Sequence, residues 1–215
     1  LHFSVVFIVL FGSNTLSAQC AGSDSAAPPI CDIPNSSSQS INLFSYLGGN
    51  PTAGGTWTDD NLSGGLNSTT GILNAQKIKS SGIYSYTYTV NNILGCSNNS
   101  AKVFVTIGGY PGVGSIGNVC KDDTGFNLFQ VFDSRTLDPQ VNGTWLDDDG
   151  TGALTRNFLD ATNLIVDKTY HFTYKMAAVG TCVEKSTTIQ VVIKQPVYSG
   201  NATDLKLCSN ELVPY

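Results

Sequence analysis

The chain has 215 residues, room for one large domain or two small ones with a core each. Apolar residues make up 41% and aromatic residues 10%, which excludes a disordered chain, while charged residues are only 13%, about half the usual share of a soluble domain. A net charge of −5 and a pI near 4.7, with no cluster of Lys and Arg, exclude a nucleic-acid surface.

Residues 1–18 read as an export signal. Val5-Val6-Phe7-Ile8-Val9-Leu10-Phe11 is an unbroken apolar run of h-region length, too short to span a bilayer. Leu16-Ser17-Ala18 permits cleavage before Gln19. The first residue is Leu1 rather than Met, so the basic n-region is expected upstream of this sequence. A lipoprotein with Cys20 acylated is the alternative, but Gln19 stands where a lipid-attachment box wants a small apolar residue. No segment after residue 18 has the length and apolarity of a transmembrane helix, and residues 19–28, with Pro28-Pro29, read as a linker. Export makes the six cysteines potential disulfides. With no CxxC and two His, a zinc site has almost no material.

Laid against itself with an offset of roughly 86 to 89 residues, the chain repeats. Cys31 falls on Cys120, and Cys120 on Cys208. Ile41-Asn42-Leu43-Phe44 matches Phe126-Asn127-Leu128-Phe129. Gly55-Thr56-Trp57 matches Gly143-Thr144-Trp145, each followed by an acidic pair. Leu73-Asn74-Ala75 matches Leu159-Asp160-Ala161, and Tyr84-Ser85-Tyr86-Thr87-Tyr88 matches Tyr170-His171-Phe172-Thr173-Tyr174. Cys96 matches Cys182. The predicted organisation is a first repeat at 29–109, a second at 110–196, and the opening of a third at 197–215, where 200–208 echoes 112–120. Ala21-Gly22 resembles the same opening segment ahead of the first repeat. The protein is expected to continue beyond Tyr215.

The clearest strand of each copy alternates with period two. Tyr84, Tyr86, Tyr88 and Val90 share one face, and so do Tyr170, Phe172, Tyr174 and Met176. Val103, Val105 and Ile107, matched by Ile189, Val191 and Ile193, make the partner strand of an antiparallel hairpin. Helical periodicity is nearly absent, with room for a turn only after Leu73 and Leu159. About six or seven short strands per copy predict an all-β protein of tandem immunoglobulin-like β-sandwich domains. Trp57 and Trp145 sit where strand C carries its core Trp, and Tyr84 and Tyr170 occupy the position of a tyrosine corner. The position two residues on, a Cys in antibody domains, holds Tyr86 or Phe172. If Cys31 and Cys120 begin first strands, and Cys96 and Cys182 precede last ones, the pairings are Cys31–Cys96 and Cys120–Cys182. Each would close a loop of roughly 65 residues, contributing about 4 kcal/mol. Cys208 would then pair beyond the sequence, leaving Cys20 alone.

The pattern Cys–NLF–GGTW–acidic pair–SGIYSYTYTV–Cys–VFVTI resembles the tandem immunoglobulin-like (PKD-like) repeats of large secreted surface proteins of Bacteroidota, many of which end in a gliding-motility-associated, type IX sorting domain. The resemblance covers nearly all of the chain after Gln19 and rests on structural motifs. It implies an adhesin or surface spacer. Asp24-Ser25-Ala26 in the expected linker resembles the short O-glycosylation motif of the same bacteria.

Catalytic groupings are sparse. After signal removal His171 is the sole His, on the outer face of its strand, so a nucleophilic triad lacks its base. Asp123-Thr124-Gly125 spells the aspartic-protease triplet without its flanks or a second copy, and reads as a turn. Glu is limited to Glu184 and Glu211, so a glycosidase pair is not in view. The acidic loops Asp59-Asp60-Asn61 and Asp147-Asp148-Asp149-Gly150 crowd oxygen ligands after each Trp and are the candidate calcium ligands, against the commoner use of such residues in solvated turns. The predicted function is therefore a non-catalytic, secreted or cell-surface structural and adhesive array, working with further repeats of the same chain and a glycan or protein ligand that the sequence does not identify. Accessory modules of a secreted hydrolase, binding carbohydrate, are the alternative. That reading wants exposed aromatics, and Phe104, Tyr110 and Tyr198 are the candidates.

Overall fold

The computed structural model describes residues 20–91, 96, 98–198 and 206–207; the expected export signal lies outside them. The first repeat has strands β1 (Ser25–Ala26), β2 (Ile41–Asn42), β3 (Thr56–Asp59), β4 (Leu66–Asn67), β5 (Ile72–Leu73), β6 (Gly82–Thr89) and β7 (Ser100–Ile107). One sheet runs β1-β7-β6-β3 and the other β2-β5-β4. The second repeat copies this strand for strand. Its strands are β8 (Ile116–Cys120), β9 (Phe126–Asn127), β10 (Thr144–Asp147), β11 (Leu154–Thr155), β12 (Phe158–Leu159), β13 (Thr169–Met176) and β14 (Lys185–Lys194), in sheets β8-β14-β13-β10 and β9-β12-β11. In each, the first strand lies parallel to the last and the other pairs are antiparallel. This is the two-sheet plan of an immunoglobulin-like sandwich with its first strand on the edge of the last. The chain is all-β, a tandem of such domains. Beyond them, β15 (Val197–Tyr198) pairs antiparallel with β16 (Lys206–Leu207).

The period-two pattern builds two separate cores. Tyr86, Tyr88, Val103, Val105 and Ile107 are buried in the first, and Phe172, Tyr174, Met176, Ile189, Val191 and Ile193 in the second. Register places Tyr86 opposite Val103 and Phe172 opposite Ile189. Each such side chain contributes about 1.5–3 kcal/mol of hydrophobic stabilisation. Both tyrosine corners form. The Tyr84 hydroxyl donates to the Ser80 carbonyl at 2.8 Å, whereas the Tyr170 hydroxyl accepts from the Ile165 N–H at 3.0 Å.

Two expectations change. Room for helix was expected only after Leu73 and Leu159. Ala75–Lys77 does form a 3₁₀ turn, but the matching Asn-Leu-Phe runs also carry 3₁₀ turns, at Leu43–Tyr46 and Leu128–Val131. The cause is local: the side chains of Asn42 and Asn127 cap these turns, accepting from the N–H two residues on. Residues 20–28 are not a linker. Cys20, Ala21 and Ala27 are buried in the first core, Ser23 bridges Gly48, and β1 pairs with β7. The Asp24-Ser25-Ala26 motif therefore lies in sheet, with the Ser25 hydroxyl donating to the Tyr46 carbonyl and Asp24 accepting from the Lys102 N–H.

Candidate functional site

The acidic loops act as clips. Asp59 Oδ2 accepts from the Ser63 hydroxyl and the Gly64 N–H, and Asp147 Oδ2 repeats this with Thr151 and Gly152. Asp60 turns instead to Ser85, Thr87 and the ammonium of Lys102 at 2.9 Å. Asp148 accepts from the Thr173 hydroxyl, and Asp149 from the His171 N–H at 2.6 Å. The carboxylates thus point to different partners and pin the loop after each C strand onto β6 or β13. Among the described residues no group of three or more His, Cys, Asp or Glu is placed to hold a metal ion. Partial burial opposes ionisation of Asp60, but the bonds from Lys102, Ser85 and Thr87 outweigh it and hold its carboxyl below the ordinary range. The Asp149 carboxyl is held low mainly by the His171 N–H. His171 stands on the outer face of its strand, its Nδ1 3.3 Å from Asp149 Oδ2.

The disulfides correct the predicted pairing. Cys20 is bonded to Cys96 and Cys31 to Cys182, and Cys120 is also disulfide-bonded. Cys208 lies outside the described residues. The reason is strand direction. Cys31 follows β1 and Cys120 ends β8, and each stands beside the end of the last strand, since Ile30 pairs with Ile107 and Cys120 with Lys194. Cys96 and Cys182 precede those same strands, so a whole strand, about 25 Å of eight residues, separates the predicted partners. Cys20, expected to be unpaired or acylated, holds Cys96.

The Cys31–Cys182 bond joins the two repeats, and a packed junction surrounds it. Gln140, 2% exposed, donates from Nε2 to the Ile78 carbonyl at 3.3 Å and accepts the Tyr110 N–H at Oε1 at 2.9 Å. The Val141 N–H bonds the Lys79 carbonyl, and the Asn142 amide is paired with the Ser81 backbone. Lys185 reaches the Cys31 carbonyl. Gly108 and Gly109 allow the second repeat's hairpin to close on the first. A Cβ at Gly109 would stand 2.4 Å from Met176 Cβ. Tyr110 is buried here, which removes it as an exposed aromatic, while Phe104 is 40% exposed. The Tyr198 side chain lies outside the description.

A concave feature present in both repeats was not legible in the sequence. Trp57 and Trp145, read there as core, each border a pocket at the edge of the sandwich. In the first repeat it is about 270 Å³, lined by Phe44, Trp57, Tyr88, Thr69 and Thr70 among others. In the second it is about 450 Å³, with Phe129, Trp145 and Tyr174 and, on its rim, Thr144, Arg156 and Asn157. The rings pack edge to face or tilted: Trp145 and Tyr174 centroids are 4.8 Å apart, and Phe129 and Trp145 5.5 Å. Tyr88 and Tyr174 fix the pocket wall, each hydroxyl donating to a carbonyl (Thr52, Gln140) and accepting the N–H of Gly55 or Gly143. The missed signal was the turn beside Trp145, two residues shorter than its counterpart.

No family model matches the chain, and no curated protein matches it in sequence. Among solved structures it is similar to Drosophila N-cadherin EC1-4, at 9% identity over 84% of this chain and 50% of that one, with a TM-score of 0.28. It is also similar to Drosophila N-cadherin EC1-3, at 11% identity over 83% and 66%, TM-score 0.28. A third likeness is BT4661, a SusE-like surface-located polysaccharide-binding protein from the heparin utilisation locus of Bacteroides thetaiotaomicron, at 13% identity over 71% and 31%, TM-score 0.23. The chain spans from about a third to two thirds of these structures. At TM-scores this low the matches carry no argument about function. Among the described residues no helix is long and apolar enough to cross a membrane.

Proposed function

We propose that the chain is part of an exported, non-catalytic array on or outside the cell surface, in which immunoglobulin-like repeats are locked end to end and act as an adhesive or spacing element. The supporting observation is the Cys31–Cys182 bond across the junction, with the buried Gln140 bonded to Tyr110 and Ile78 across the same junction. A covalent tie between successive domains removes hinge freedom, as an extended stalk requires. Disulfides persist in oxidising compartments, which agrees with export. The finer assignment, to PKD-like repeats of Bacteroidota surface proteins exported by the type IX route, rests on the sequence resemblance.

The reading is tested on intact source cells with an antibody raised against the two repeats. Labelling without permeabilisation, lost after brief external protease treatment, is the expected result. Labelling that needs permeabilisation overturns it.

A further inference from the structure

We infer that the Trp145 pocket of the second repeat is a binding site for an acidic saccharide, its ring lying on the indole and its anionic group paired with Arg156. The two repeats supply the comparison. In the first, four residues (68–71) turn between Asn67 and Ile72. They lie so close to Trp57 that a Cβ on Gly71 would stand 2.3 Å from the indole nitrogen, and Trp57 is 4% exposed. In the second, only Arg156 and Asn157 join Thr155 to Phe158. Trp145 is left half-buried beside the larger cavity, about 450 Å³ against 270 Å³. That volume lies within the range of small-ligand sites, about 300–1,000 Å³.

The lining is chemically specific. Among the described residues no carboxylate borders the pocket, although the chain carries 16 acidic and 11 basic residues. Arg156 makes no ion pair among the described residues. Its backbone sits at φ 57°, in the left-handed region that glycine adopts without strain. A pyranose ring has an apolar C–H face for the aromatic wall and a polar edge for Thr144 and Asn157, and a carboxylate or sulfate suits the guanidinium fork. A purely apolar ligand would leave Arg156 and Asn157 unused, and a bare inorganic anion would leave the aromatic wall unused. The inference goes beyond the surface-array reading, which stands or falls on where the protein is found.

The test titrates the full chain calorimetrically with tetragalacturonate, its methyl ester and a sulfated chondroitin tetrasaccharide. At least one acidic saccharide is expected to bind, with the ester about tenfold or more weaker than the free uronate if that is the one. Arg156→Gly suits the turn, so its melting temperature should not fall, yet acidic-saccharide affinity should drop about 10- to 100-fold. Trp145→Phe should weaken binding, and Trp57→Phe should not. No binding of either acidic saccharide, equal binding of the ester, or an unchanged affinity in Arg156→Gly overturns the inference.

Discussion

Cys31, at the far end of the first repeat, is bonded to Cys182 in the hairpin of the second, with Cα atoms 5.2 Å apart. They stand 151 positions apart in sequence, a closure that limits the unfolded state by about 5 kcal/mol in the chain-entropy model. Cys96, the counterpart of Cys182, is bonded to Cys20, which occupies the place of Tyr110: the Thr52 N–H bonds the Cys20 carbonyl as the Gln140 N–H bonds that of Tyr110. Both hairpin cysteines therefore fasten the base of their repeat to what precedes it. Non-reducing peptide mapping should recover Cys31 linked to Cys182 and Cys20 to Cys96. A Cys31–Cys96 peptide would contradict this arrangement. The double variant Cys31→Ser, Cys182→Ser should lose up to about 5 kcal/mol of stability in denaturant titration.

Gly109 is where the hairpin comes closest. Gly109→Ala places a methyl group against Met176 Cβ, and overpacking of this kind costs about 1–3 kcal/mol. Gly125→Ala is the control, since a Cβ there meets nothing within 4 Å and no positive φ is involved. Thermal melts should show a clear drop for the first and little change for the second. Equal melting temperatures would mean that the junction is looser than described.

Much of the fold was legible because strands advertise themselves by alternation. The face shared by Tyr170, Phe172, Tyr174 and Met176 is the buried one, and Trp57 and Trp145 lie on the predicted strand. The disulfides were not legible, since spacing says which cysteines are equivalent but not whether Cys31 opens a strand or closes one. Residues 20–28 failed for a related reason: a two-residue strand leaves no alternation, and Pro28-Pro29 suggests a linker. Of the candidate site, the acidic residues were seen but their separate partners were not, because each depends on Ser85, Thr87, His171 or Thr173 across the sheet. The pocket beside Trp145 arises from a turn shortened by two residues, a difference that an alignment of matching motifs passes over.

Gln140 holds the junction by hydrogen bonds alone. Gln140→Ala leaves the Tyr110 N–H and the Ile78 carbonyl without their partner in a buried place, at about 1–3 kcal/mol. Its counterpart Thr52 is exposed, and Thr52→Ala should be close to neutral because the Tyr88 hydroxyl bonds the backbone there. Urea denaturation should show the loss for Gln140→Ala as a lower midpoint with an unchanged slope. A midpoint equal to that of the parent would remove Gln140 from the account of the junction.

Acid should loosen the loops before it affects the cores. Asp60 and Asp149 have carboxyls held below their ordinary range in the folded chain, the first by Lys102, Ser85 and Thr87 against the effect of burial, the second by the His171 N–H. Asp133, bonded by Arg135, and Asp160, bonded by Thr162, are lowered as well. A lowered folded value means that the unfolded chain takes up protons first as pH falls. The stabilisation is therefore fully present above the unfolded carboxylate value, about 3.9, and is lost as pH drops through the folded one. Stability measured by denaturant titration should show little dependence on these four carboxyls from neutrality down to about pH 5 and then decline below about pH 4. Asp60→Asn should lower stability at pH 7 and flatten that decline. A stability that climbs as pH falls below 4 would show that the carboxylates repel one another more than their partners hold them.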